Sequence, residues 1–114
     1  MNINVGTDIF EVKRLRLRPV KDHMAFYKSI FTKSELAHCL KFSDPYPHLA
    51  GLFAAKEAIT KCYDKPPRMI DIKISWTTNG KPSAIVIYEK KTNFVKISIS
   101  HTKLLAIAVA VSTT

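Results

Sequence analysis

Acidic residues are scarce in this sequence: 9 Asp and Glu stand against 18 Lys and Arg, a formal net charge of +9 at pH 7. Such a balance does not bear on fold, but it favours an acidic partner (nucleic acid, anionic lipid, a phosphorylated ligand or an acidic protein) and fast encounter with it. The basic residues form only local groups, Lys13, Arg14, Arg16 and Arg18, then Lys90 and Lys91. No block of five or six like charges exists, which excludes a disordered basic tail. Cysteine is nearly absent. Cys39 and Cys62 lie far apart in no metal-ligand spacing and read as reduced thiols of a cytoplasmic protein. Long apolar runs are missing too. Leu104 to Val111, the most apolar stretch, is far short of the ~20 residues that span a bilayer. Met1 to Thr7 lacks the basic-then-apolar order of a signal peptide. There is no G-x-S-x-G elbow and no evident triad, which disfavours a serine nucleophile. Strands with aromatics interleaved among Lys and Arg are also lacking, which disfavours a nucleic-acid-binding sheet. Repeats, low-complexity tracts and linkers are absent, and 114 residues suffice for one compact domain but not two.

What is present divides into a helical first half and a stranded second half. Asn2 to Phe10 opens with Ile3 and Val5 alternating with polar or small neighbours, a strand signal. Glu11 to Leu17 reads as a short helix that ends at Arg18-Pro19, because the residue before proline avoids the α region. His23 to Phe31 places Phe26, Ile30 and Phe31 at helical spacing. Thr32 with Glu35 three residues on is a capping-box pattern and predicts a helix from Lys33 to Lys41. Ser43-Asp44-Pro45-Tyr46-Pro47 breaks the chain, and a longer alanine-rich helix is expected from His48 to Tyr63. Strands follow at Met69–Trp76, Ala84–Tyr88, Val95–Ser100 and Leu105–Val111, with Asn79-Gly80 as a tight-hairpin signal. Short connections make neighbouring strands antiparallel. The expectation is an α+β domain with helices packed on one face of an antiparallel sheet.

Four places could carry chemistry. Glu57 and Lys61 are four apart on the long helix. They would either form an exposed ion pair worth a few tenths of a kcal/mol or serve a site. Asp8 ends the first strand beside Gly6-Thr7 and is either a helix cap or a metal ligand. Asp8 and Glu57 together suit Mg²⁺, which takes one or two carboxylates, waters and substrate phosphates. Ser98-Ile99-Ser100-His101-Thr102 is a polar cluster at a strand end, able to grip phosphate oxygens or simply to turn the chain. Asn79-Gly80-Lys81-Pro82 is a hairpin in which Lys81 could add a phosphate or adenine contact.

The order of these blocks carries more than any one of them. Gly6-Thr7-Asp8-Ile9, Thr32-Lys33-Ser34-Glu35, Phe53-Ala54-Ala55-Lys56-Glu57-Ala58 with Lys61, Gly80-Lys81-Pro82 and Ser98-Ile99-Ser100-His101-Thr102 together resemble the holo-acyl-carrier-protein synthase family, the small single-domain phosphopantetheinyl transferases. The resemblance covers nearly the whole chain. It implies the phosphopantetheinyl transferase fold in a homotrimer with active sites between subunits. It also implies transfer of the 4′-phosphopantetheine arm of coenzyme A to a serine of an apo acyl carrier protein, releasing adenosine 3′,5′-bisphosphate. Asp8 and Glu57 match the Mg²⁺ ligands, and Lys61 matches the lysine near the pyrophosphate. Asp8, Glu57, Lys61 and His101 match the catalytic positions. Phe53, Lys61, Lys81, Pro82, Ser100, His101 and Thr102 match positions that contact coenzyme A, and Arg14 the position that meets the acidic carrier. A relative that only docks the carrier is the alternative, and the intact metal pair favours the enzyme.

Two positions depart from the family pattern. An arginine that helps hold the nucleotide phosphates commonly precedes Phe53, and here Leu52 stands there. A glycine-containing loop commonly follows Lys61, and here the run is Cys62-Tyr63-Asp64-Lys65-Pro66-Pro67. Lys65 and Arg68 are the candidates to restore the missing charge, and weaker coenzyme A binding than in a typical member is expected.

Overall fold

The computed structural model describes residues 2–113. Five strands, β1 (Ile3–Glu11), β2 (Ile72–Trp76), β3 (Pro82–Tyr88), β4 (Lys91–His101) and β5 (Leu105–Thr113), form one antiparallel sheet in the order β1-β5-β4-β3-β2. Strand β4 is shared: Lys91–Val95 pairs with β3 and Lys96–His101 with β5. The helices are α1 (Lys13–Arg16), α2 (Met24–Ile30), α3 (Lys33–Leu40) and α4 (Tyr46–Thr60), with 3₁₀ turns at Val20–Asp22 and Met69–Asp71. The α+β architecture expected from the sequence is the one observed.

Helix α4 lies on the inner face of β1, β5 and β4. Small side chains bring it close. Ala54, Ala55 and Ala58 of α4 and Ala106, Ala108 and Ala110 of β5 are all buried, so backbones approach and exclude water with little side-chain entropy lost. The other face of these strands is apolar yet uncovered: Ile3, Val5 and Ile9 of β1 and Leu105, Ile107 and Val109 of β5 are exposed.

The helix starts follow local chemistry. The capping box at α3 forms as read, with Glu35 N donating to Thr32 Oγ1 at 3.2 Å and Thr32 N donating to Glu35 Oε1 at 2.8 Å. Helix α4 begins earlier than expected, at Tyr46, and ends at Thr60. Pro47 is no obstacle there, because a first-turn residue has no helical acceptor for its N–H. Met69–Asp71 is a 3₁₀ turn rather than strand, and β2 starts at Ile72.

The hairpin signalled by Asn79-Gly80 joins β2 to β3, closed by Gly80 N donating to Thr77 O at 2.9 Å and Thr77 N donating to Lys81 O at 2.9 Å. Residues 78–80 form its three-residue loop, with Gly80 at φ +83° and Thr77 Oγ1 accepting from Lys81 N at 3.2 Å. The two-residue turn is Glu89-Lys90, at φ 49° and 62°, between the paired residues Tyr88 and Lys91. Left-handed backbone costs an ordinary residue about 1–2 kcal/mol, which is why this turn type favours Asn-Gly. The double variant Glu89→Asn/Lys90→Gly is therefore expected to be more stable by about 1–2 kcal/mol, read as a higher urea midpoint at unchanged m.

Candidate active site

The first-strand carboxylate and the helix α4 carboxylate sit on elements that pack face to face. Gly6 of β1 packs against the Ala58 backbone and Lys61, and Phe10 packs its ring 4.5 Å from that of Phe53. Asp8 lies between Gly6 and Phe10 on the same inward-facing side of β1, so it is set opposite the turn that carries Glu57. The exposed Glu57–Lys61 ion pair does not form. Lys61 Nζ turns instead to β1, donating to Thr7 O at 2.7 Å and standing 3.7 Å from Asp8 Oδ1. Among the described residues no ion pair ties up the Glu57 carboxylate. Asp8 is not used as a helix cap, since the residue preceding α1 is Val12.

Glu57 borders a groove of about 570 Å³ lined by Phe10, Leu15, Phe26, Ile30, Phe53 and Met69, with Arg14 and Arg18 on its rim. The two guanidinium groups each lie 4.6 Å from a ring centroid, Arg14 over Phe10 and Arg18 over Phe26. They thus present positive charge beside apolar surface.

His101 lies on a different wall. It lines a separate cavity of about 370 Å³ together with Leu52, Gly51, Gly80, Pro82 and Trp76. Gly51 is six residues from Glu57, about 9 Å along the helix axis. Thr102 uses its hydroxyl to accept from the Leu104 and Leu105 amides at 3.2 and 3.1 Å, so it serves the β4–β5 turn. Ser100 alternates with Ile99 and His101 and faces the uncovered side of the sheet. Lys81 is exposed and does not line the cavity. Arg68 is committed to Asp71 through contacts of 2.8 and 3.2 Å, and neither it nor Lys65 lines either cavity. Within one chain, then, Asp8, Glu57, Lys61, Phe53 and Arg14 form one group and His101 and Pro82 another.

Residues 4–111 match the 4′-phosphopantetheinyl transferase superfamily. The chain belongs to that superfamily. Among relatives, the holo-(acyl-carrier-protein) synthase of Caldanaerobacter subterraneus subsp. tengcongensis is 37% identical, covering 98% of this chain and 95% of its own. That of Chlorobaculum tepidum is 38% identical, covering 95% and 96%. The crystal structure of the Helicobacter pylori holo-(acyl-carrier-protein) synthase in complex with coenzyme A superposes with a TM-score of 0.82 at 29% identity, over 96% of this chain and 99% of that one. The Bacillus anthracis enzyme, also solved with coenzyme A, gives 0.78 at 30% identity over 96% and 94%. The resemblance drawn from the motif order is borne out.

This transferase carries two features that the motifs did not reveal. One is a chain of rings along the His101 cavity. Trp76 stacks on His38 at 3.6 Å, His38 meets Phe42 edge-on at 5.7 Å, Phe42 stacks on His48 at 3.7 Å, and His48 meets His101 at 4.8 Å. His38 and Phe42 are four apart, a spacing visible in sequence, but Trp76 and His101 come from distant strands. Burial holds the His48 pKa below the ordinary value, helped by His101 and His38 and opposed by Asp44. Burial likewise lowers that of His38, with Lys41 adding to it. Such histidines bind protons more readily unfolded than folded, so stability rises with pH. The fold should lose stability as pH falls through about 6.5. Urea midpoints at about pH 7.5 and 5.5 test this, and the His38→Gln/His48→Gln variant should show a smaller difference between them.

The second feature is Lys56. It is fully buried, with Nζ 2.7 Å from Glu35 Oε1, itself fully buried. Both cysteines are free and buried, and burial pushes the Cys39 thiol up to about 12, which makes it unreactive.

Proposed function

We propose that this chain transfers the 4′-phosphopantetheine arm of coenzyme A to a serine of an apo acyl carrier protein, with Mg²⁺ held by Asp8 and Glu57. The observation that carries the reading is the Glu57 carboxylate, free of any ion pair among the described residues, opposite Asp8 with Lys61 at its side. Two carboxylates fit Mg²⁺, which completes its shell with water and phosphate oxygens. They do not fit a metal that wants an all-protein cage, and among the described residues no cluster of three or more His, Cys, Asp or Glu exists. When bound, the ion neutralises charge on the pyrophosphate.

The side chains do the rest. Lys61, anchored on Thr7 O, faces the bridging phosphate region and stabilises charge as the pyrophosphate bond breaks. The carrier serine hydroxyl attacks the phosphorus bearing the pantetheine arm, and adenosine 3′,5′-bisphosphate departs. The serine proton passes to Asp8, Glu57 or a water beside them. Arg14 and Arg18 at the groove rim receive the acidic carrier, whose encounter the +9 charge accelerates. His101 and Pro82 would meet coenzyme A on a neighbouring copy in a homotrimer. The exposed apolar residues of β1 and β5 support that assembly, since a patch of this kind on a soluble protein marks an interface. Among the described residues no helix is long and apolar enough to cross a membrane, and we place the reaction in the cytoplasm.

The test is intact-mass spectrometry of apo carrier protein incubated with this chain, coenzyme A and Mg²⁺. A gain of one phosphopantetheine arm, lost with chelator, is expected. No gain on fatty-acid, polyketide or peptide-type carriers would leave only carrier docking.

A further inference from the structure

The Lys56–Glu35 pair has no part in the mechanism just given, yet it is the most heavily hydrogen-bonded polar group in the core. Lys56 Nζ reaches Glu35 Oε1 at 2.7 Å and donates to Ile30 O at 2.7 Å and Met69 O at 3.1 Å. All three ammonium protons are thereby used. Glu35 Oε1 also accepts from Thr32 N at 2.8 Å, and Oε2 accepts from Ile74 N at 2.7 Å. The ammonium thus ties α4 to the end of α2, to α3 and to the 3₁₀ turn before β2, and through the Glu35 carboxylate to β2 itself.

Stability alone does not explain it. Apolar side chains of similar volume usually hold a core as well as, or better than, a buried ion pair. Direction is what the pair adds. Helix α4 is buried on nearly every side by Leu49, Ala50, Leu52, Ala54, Ala55, Ala58 and Ile59. Over the middle of the helix, at Ala54, Ala55 and Ala58, a turn about its axis exchanges one alanine methyl for another, so those contacts define its rotation weakly. The Gly6 notch meets α4 mainly through the backbone oxygen of Ala58, which a rotated helix also presents. An ammonium with three fixed acceptors has one rotation that satisfies it. The next residue projects about 100° further round the helix, and that residue is Glu57.

We propose that the buried Lys56–Glu35 pair is a positioning device that sets the rotation of α4 so that the Glu57 carboxylate faces Asp8. The proposal rests on the reading of Asp8 and Glu57 as metal-holding residues, and its test reads rotation separately from activity. Phe53 is one helical turn before Glu57 and shares its face, so its ring contact with Phe10 reports where that face points.

The experiment compares Glu35→Leu/Lys56→Met with Ile59→Ala, a cavity variant on the same helix that lowers stability while both charged groups stay in place. Three quantities are measured well below both melting temperatures: the Phe10–Phe53 ring nuclear Overhauser effect, Mn²⁺ affinity with coenzyme A present, and kcat and KM for transfer. The double variant is expected to weaken the Overhauser effect, bind Mn²⁺ about tenfold or more weakly, and lose kcat by a similar factor with carrier KM unchanged. Ile59→Ala keeps all three. Should the double variant not fold, Lys56→Gln replaces it in the same comparison. Equal behaviour of the pair variant and Ile59→Ala overturns the proposal. A wild-type protein that neither transfers nor binds Mn²⁺ sinks the metal reading instead, and the Overhauser comparison still decides the rotation.

Discussion

Glu57→Gln is expected to lower kcat for phosphopantetheine transfer by about 10²–10³-fold while leaving the urea midpoint nearly unchanged. The two halves of that result have one cause. The carboxylate is partly exposed and forms no ion pair among the described residues, so the folded state gains little from its charge. Transfer would gain much from it, because the carboxylate would hold in advance the Mg²⁺ that neutralises the pyrophosphate. The variant also separates two roles for Glu57. If the side chain holds Mg²⁺, raising the ion's concentration restores part of the rate. If it acts only as the proton acceptor, added Mg²⁺ restores nothing and the pH profile loses one limb. Asp8→Asn should behave like the first case but with some loss of stability, because Asp8 is ion-paired to Lys61. Wild-type kcat in Glu57→Gln would remove Glu57 from the site.

Legibility in the sequence followed the range of the interaction. The Thr32–Glu35 cap is local and was readable, as was the alternation of β2 through Ile72 and Ile74, both buried. The motif order placed Asp8, Glu57 and Lys61 together, and the fold sets them on facing elements. The role of Lys56 went unread for a physical reason. In sequence it is a charge interrupting an apolar helix, and its partner Glu35 lies 21 positions away on another helix, inside a cap that already explained its presence. The ring chain escaped for the same reason, since it joins α3, the loop after it, α4, β2 and β4. Asn79-Gly80 marked a real hairpin but not the length of its loop. The loop takes three residues, with Gly80 N donating to Thr77 O and Gly80 itself left-handed, while register puts the two-residue turn at Glu89-Lys90. At Glu89-Lys90 strand pairing outweighed turn propensity.

Gly6→Ala is expected to be the most damaging of the glycine-to-alanine changes, costing about 3 kcal/mol or more and most of the activity with it. The chain has three glycines, and each exists for a different reason. A Cβ at Gly6 would lie 1.8 Å from Ala58 O, 2.8 Å from Ala58 C and 3.0 Å from Lys61 Cβ. Two of those atoms are helix backbone and have no rotamer to adopt. Strand β1 would have to withdraw from α4 by on the order of 1 Å, which forfeits a large part of the dispersion contact along its length. That contact includes Phe10 on Phe53 and the seat of Asp8 beside Lys61. By contrast, a Cβ at Gly51 meets the Ile99 Cγ2 methyl at 3.0 Å, and a side chain can yield. Gly80 has open space but φ +83°, so Gly80→Ala costs only about 1 kcal/mol of backbone strain. The expected ranking by urea midpoint is therefore Gly6→Ala far below Gly51→Ala and Gly80→Ala, with kcat falling steeply only for Gly6→Ala. A Gly6→Ala protein as stable as wild type would mean that β1 and α4 do not approach this closely, and the facing of Asp8 and Glu57 would fall with that approach.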